Sequence, residues 1–141
     1  MQVIKQVRQD MLEDRLWVDI VAGFTGLPLV GKVEFVDSGG VPLCELEFDD
    51  MEIVSNGTDN AIMRLKSIDG SYILKSTVHT AGTVSEFKIW GSNPHVIPQY
   101  ILIGTVGTLT SSAELRFNIV NWVIGTFVSI ENFDIIIPNG V

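Results

Sequence analysis

The stretches Cys44-Glu45-Leu46-Glu47-Phe48 and Ala61-Ile62-Met63-Arg64-Leu65-Lys66 decide the fold class. In the first, apolar side chains alternate with carboxylates; in the second, Ala61, Met63 and Leu65 alternate with Arg64 and Lys66. Successive side chains of a strand point to opposite faces, so a period of two marks a half-buried strand with one face toward a core. The same period recurs where Ala113, Leu115, Phe117 and Ile119 alternate with Glu114, Arg116 and Asn118, and again at Phe133, Ile135 and Ile137, with Pro138 and Gly140 ending the last strand. Turn signals separate these runs: Asp37-Ser38-Gly39-Gly40, Asp49-Asp50, Asn56-Gly57, Asp69-Gly70, Ala81-Gly82, Gly91-Ser92-Asn93-Pro94, Gly107 and Gly125. The spacing predicts about eight or nine strands without βαβ units. The expectation is an all-β, antiparallel two-sheet sandwich, jelly-roll-like.

Upstream, the period changes. Ile4, Val7, Met11, Val18 and Val21 fall on one face at a spacing of 3.6, which predicts an amphipathic N-terminal helix or arm over residues 1–27 and a β-sandwich domain over 28–141. Asp14 interrupts the apolar stripe, the mark of a helix that packs loosely or meets another chain. Gly23, Gly26 and Pro28 end it.

The 141 residues are 46% hydrophobic and 18% charged, the composition of one core-forming domain. Seventeen acids against nine bases give a net charge of -8, which argues against a nucleic-acid partner. The single Cys44 excludes an internal disulfide, and charges throughout residues 1–15 break any signal-peptide core, so synthesis in a cytoplasm is expected. The most apolar stretch, 117–130, is interrupted by Asn118, Asn121, Gly125 and Ser129 and is too short for a membrane span.

Chemistry-bearing patterns are weak. His79 and His95 lack neighbours at metal-ligand spacing, Cys44 lies on the apolar side of a strand, and Asp49, Asp50 and Glu52 lack the spacing of a calcium loop. Asn56-Gly57-Thr58 reads as a tight turn. We therefore expect no catalytic residue, no metal, no cofactor and no enzymatic activity. The informative irregularity is 25 consecutive residues, 89–113, without an Asp, Glu, Lys or Arg. Within them residues 91–100 read as an uncharged apolar loop, a surface suited to another protein. Trp17, Trp90, Ile97 and Tyr100 are the predicted interface anchors.

Several stretches resemble small tailed-bacteriophage structural proteins of the capsid cement or decoration type. They are Gly57-Thr58 through Arg64 with the Asp69-Gly70 turn, Gly104-Thr105-Val106-Gly107, the strand Ala113-Glu114-Leu115-Arg116-Phe117-Asn118, and the closing Asn132-Phe133-Asp134-Ile135-Ile136-Ile137-Pro138. The resemblance covers about two thirds of the chain, and an insertion at 92–100 and a higher acidity depart from it. It implies a jelly-roll-like module, made in the host cytoplasm, that binds the outside of an assembled shell as a symmetric homodimer or homotrimer. Its partners would be the major capsid protein and further copies of itself. A competing reading is a carbohydrate-binding jelly-roll module of a phage tail or fibre, with Trp90, Tyr100 or Trp122 as a stacking platform.

Overall fold

The computed structural model describes residues 31–56, 60–90 and 100–138, and all regular structure among them is β. The N-terminal segment 1–27 and the anchors Trp17 and Ile97 lie outside the described residues. Twelve strands are described: β1 (Gly31–Val36), β2 (Pro42–Phe48), β3 (Asp50–Asn56), β4 (Asn60–Lys66), β5 (Ile73–Thr77), β6 (Gly82–Thr83), β7 (Glu86–Trp90), β8 (Tyr100–Thr108), β9 (Leu115–Phe117), β10 (Asn121–Trp122), β11 (Phe127–Glu131) and β12 (Asp134–Pro138). That exceeds the eight or nine expected, because β6 and β10 are two-residue pairs too short to carry a period. Tyr100, read as part of a loop, opens β8.

The strands form a five-stranded sheet in the order β2-β1-β7-β8-β9, a three-stranded sheet β12-β4-β3, and the pairs β11-β5 and β10-β6. Every pairing is antiparallel except β8 with β9, which is parallel from Val106↔Leu115 to Thr108↔Phe117. A parallel return normally needs a long crossover. Here the ladder is only three residues long, so the chain has about 10 Å to retrace. Residues 109–114 manage it through a tight turn in which Ser111 N–H and Oγ–H both donate to Thr108 C=O, at 3.1 and 2.7 Å. Glu114 N–H then donates to Thr105 Oγ1 at 3.1 Å and anchors the returning chain.

The alternation read from the sequence defines the core. Val33, Phe35, Cys44, Leu46 and Phe48 from the five-stranded sheet meet Ala61, Met63, Leu65 and Ile135 from the three-stranded sheet in one buried cluster, closed by Leu74, Val128 and Trp122 from the two pairs. A register shift between Phe35 and Val36 places Leu43 opposite the β1 irregularity and turns it, as well as Cys44, inward. Phe35, Phe117 and Trp122 stand edge to face, with ring centroids 5.4–5.9 Å apart. Phe87 and Phe133 repeat the geometry at 5.5 Å. Each fully buried large side chain contributes about 1.5–3 kcal/mol, so this cluster, rather than any one sheet, holds the strands together.

Candidate functional site

The register places two of the predicted interface anchors side by side. Trp90 closes β7 opposite Tyr100 on β8 and opposite Lys32 on β1. The indole is half-buried, with Lys32 Nζ 5.5 Å from its ring centroid. This end of the sheet thus gathers Trp90 and the start of β8.

The acidic cluster is engaged within the fold. Asp50 Oδ1 accepts the Met51 N–H at 2.8 Å, and Glu52 accepts the Tyr72 hydroxyl. Glu52, Arg64 and Asp134 form one row across β3, β4 and β12, and the Arg64 guanidinium forks onto Asp134 at 2.8 and 3.1 Å. Arg64 and Lys66 also stand over the Tyr72 ring, at 5.5 and 5.9 Å. Hydrogen bonding to Asp134 holds the Arg64 pKa above its ordinary value, and hydrogen bonding to Glu52 raises that of Tyr72. The network clamps the 71–72 segment onto the three-stranded sheet. A shallow pocket of about 450 Å³ opens beside it, lined by Asp49, Asp50, Lys66 and Ser67. Among the described residues no three His, Cys, Asp or Glu side chains are grouped to hold a metal ion.

Among the described residues the thiol is that of Cys44 and the imidazole that of His79; His95 lies outside them. Cys44 is fully buried and its Sγ lies 3.6 Å from Thr77 C=O. Burial pushes its pKa up to about 11, opposed by a hydrogen bond with Ser76 and reinforced by the Glu45 carboxylate. His79 is an exposed loop residue, with Nε2 2.6 Å from Glu45 Oε2 and Nδ1 2.8 Å from Thr80 Oγ1.

The largest departure from expectation lies in the uncharged stretch 117–130. Ile119, Val123, Ile124 and Phe127 are exposed at 67, 65, 69 and 64% of their surface. Alternation predicts Ile119 inside with Leu115 and Phe117, but β9 ends at Phe117 and Val120 C=O is taken by Val84 N–H at 2.9 Å, which redirects the chain. Trp122, 4% exposed, then occupies the core, and its Nε1–H donates to Ile119 C=O at 2.9 Å. This burial removes Trp122 from any carbohydrate-stacking platform. The following turn is tied to the body by Gly125 N–H to Val78 C=O at 2.8 Å and Val78 N–H to Thr126 C=O at 2.9 Å. Gly125 takes φ +90°, open to glycine without strain. With Trp122 and Val128 pinned inward on either side, Val123, Ile124 and Phe127 are held outward. The signal in the sequence was the absence of charge around a central glycine, and only the direction of the side chains was hidden.

A groove of about 570 Å³ is lined by Phe87, Ile89, Leu115, Phe133 and Ile135, together with Glu114 and Glu131. It lies where β8 and β12, strands of different sheets, pass each other. Asn132, at φ 58° beside it, turns β11 into β12.

Compared with protein-family models, with curated proteins and with solved structures, the chain matches none of them. Among the described residues no helix is long and apolar enough to cross a membrane.

Proposed function

We propose that this chain is a non-enzymatic assembly protein that works by contact, and specifically a capsid cement or decoration protein. In this reading the sheets form a jelly-roll-like sandwich, preceded by the amphipathic segment 1–27. Symmetric dimers or trimers bind the exterior of a virion shell and tie neighbouring copies of the major capsid protein together. The observation that carries the reading is the ridge Ile119, Val123, Ile124 and Phe127: Val123, Ile124 and Phe127 are held outward by a hydrogen-bonded turn, and Ile119 by the bond from Val84 N–H to Val120 C=O. Apolar anchors of this kind, on a rigid support, concentrate binding energy at low ordering cost. Copies arranged about a symmetry axis add avidity, so a modest contact per copy suffices. The net charge of -8 suits a surface that should not collect packaged nucleic acid.

The test is the copy number of this protein relative to the major shell subunit, by quantitative mass spectrometry of particles purified from its source. A near-stoichiometric ratio is expected. A few copies per particle would move the protein to the tail or neck and promote the carbohydrate-binding reading. Absence from particles would overturn both.

A further inference from the structure

The groove between β8 and β12 lies against strand edges rather than strand faces. Neighbouring residues of a strand point to opposite faces, yet Leu102 with Ile103 and Ile135 with Ile136 all line it. A groove that meets both members of each pair runs along the backbone. Among the described residues, β12 pairs only with β4, and β8 before Val106 pairs only with β7. The hydrogen bonds show which backbone groups this leaves. Leu65 N–H donates to Phe133 C=O, so Phe133 and Ile135 turn their peptide groups to β4, and Asp134 and Ile136 turn theirs to the open edge. Val106 N–H donates to Ser85 C=O beside β7, so Ile103 faces away from β7 in the same manner.

Folded proteins block such edges, and this one does so in part. Thr105 N–H is taken by the Glu114 carboxylate at 3.4 Å, and Pro138, next in the outward series of β12, carries no N–H. Between these two stops, Ile103, Asp134 and Ile136 present donors and acceptors that no described strand meets.

We propose that this groove takes an extended segment of another protein, apolar residues alternating with lysine or arginine, which adds to β12 as a strand. Its lining selects that chemistry. Phe87, Leu115, Phe133 and Ile135 offer an apolar bed to every second side chain. The charged residues of the lining are Glu114, Glu131 and Asp134, with no lysine or arginine among them. Arg64 already meets Asp134, whereas Glu114 and Glu131 are exposed carboxylates placed to receive cations. A second copy of a chain with net charge -8 brings the wrong sign. Main-chain bonds supply the affinity and the alternating side chains the selection. The groove shares no residue with the ridge, so the proposal is independent of what the ridge binds.

The probe is the peptide acetyl-Val-Lys-Val-Lys-Val-Lys-Val-amide, titrated into the full ¹⁵N-labelled chain and followed by amide spectra and hydrogen exchange. Saturable binding below about 1 mM is expected, with exchange of the Asp134 and Ile136 amides slowed about tenfold. A fully N-methylated peptide of the same sequence keeps the charge but has no backbone donors, and should bind about tenfold more weakly. Replacing its lysines by glutamate in the unmethylated peptide, or Glu131→Lys in the protein, should weaken binding about fivefold or more. Equal binding of the methylated peptide would reduce the contact to charge attraction and overturn the proposal. Protection confined to residues 123–127, or no binding at about 1 mM, would overturn it as well.

Discussion

Two regions of this molecule invert the ordinary relation between polarity and burial. On β1 a carboxylate, Glu34, is 8% exposed, whereas on the turn after β10 an isoleucine, Ile124, is 69% exposed. Both side chains are held where they are by neighbours. Glu34 is fixed by strict alternation between the core residues Val33 and Phe35, and Lys32 Nζ lies 3.4 Å from its Oε2. Ile124 is fixed by Trp122 and Val128, which occupy the core on either side of a two-bond tie to Val78. The comparison teaches that the backbone ladder chooses a residue's face first, and the chemistry of that face is then supplied by whatever covers it. A buried polar residue beside the core is tolerated where a charged neighbour meets it, and an exposed apolar turn on a rigid base calls for a partner.

The strongest way to break the comparison is to remove the anchor beneath the ridge. Trp122→Ala empties the site between Phe35 and Phe117 and should cost about 3–5 kcal/mol, read from the urea midpoint. A loss below about 1 kcal/mol would mean that the ridge is not held out by the indole. Next in size is Gly104→Ala on β8, where an added Cβ would lie 2.2 Å from Phe87 Cε1 and Cζ. Phe87 must then move against Phe133, and a loss of about 1–3 kcal/mol is expected. A neutral Gly104→Ala would show that the groove floor is slack.

A smaller effect follows pH. The Cys44 thiol is raised from 9.0 to about 11, so its protonated form is favoured in the folded chain. The stabilisation is complete below pH 9 and lost as pH rises toward 11, and Cys44→Ala should flatten this alkaline decline. At pH 8 the native thiol should resist alkylation until the chain is unfolded; rapid labelling of native protein would contradict the burial. Least of all for stability, Ile124→Asp should change the unfolding free energy by no more than about 0.5 kcal/mol. The same substitution should weaken attachment to shells about tenfold or more, measured by co-sedimentation. Undiminished attachment would move the contact surface away from the ridge.

Much of the fold was legible. The alternations at 44–48 and 61–65 mark the inward faces of β2 and β4, and Phe133 and Ile135 lie in the core as their spacing predicts. Asp69-Gly70 is a turn, with Gly70 at φ +83° and Asp69 Oδ1 accepting the Ser71 N–H at 2.9 Å. The bond to Ser71 also lowers the Asp69 pKa. The parallel β9 was not legible, because it depends on where the chain returns after a six-residue turn. The outward ridge was equally hidden. Ile119 continues the period of Leu115 and Phe117, and only the capture of Val120 by Val84 breaks it. Of the proposed anchors, Trp90 and Tyr100 are brought into register by the β7–β8 ladder, a pairing across residues 91–99 that no local pattern could announce.

By itself the sequence determined the all-β class, the inward face of the longer alternating strands and the want of charge in 89–113 and 117–130. These follow from local properties: the period of two, the turn residues and the distribution of ionic side chains. The tertiary structure alone decided that Trp122 goes in while Ile119, Val123, Ile124 and Phe127 stay out, and that Glu34 is buried on a face away from the core. The reason is that short segments without a period take their direction from the hydrogen bonds and cavities offered by distant strands. An apolar residue is buried only where that packing leaves room for it.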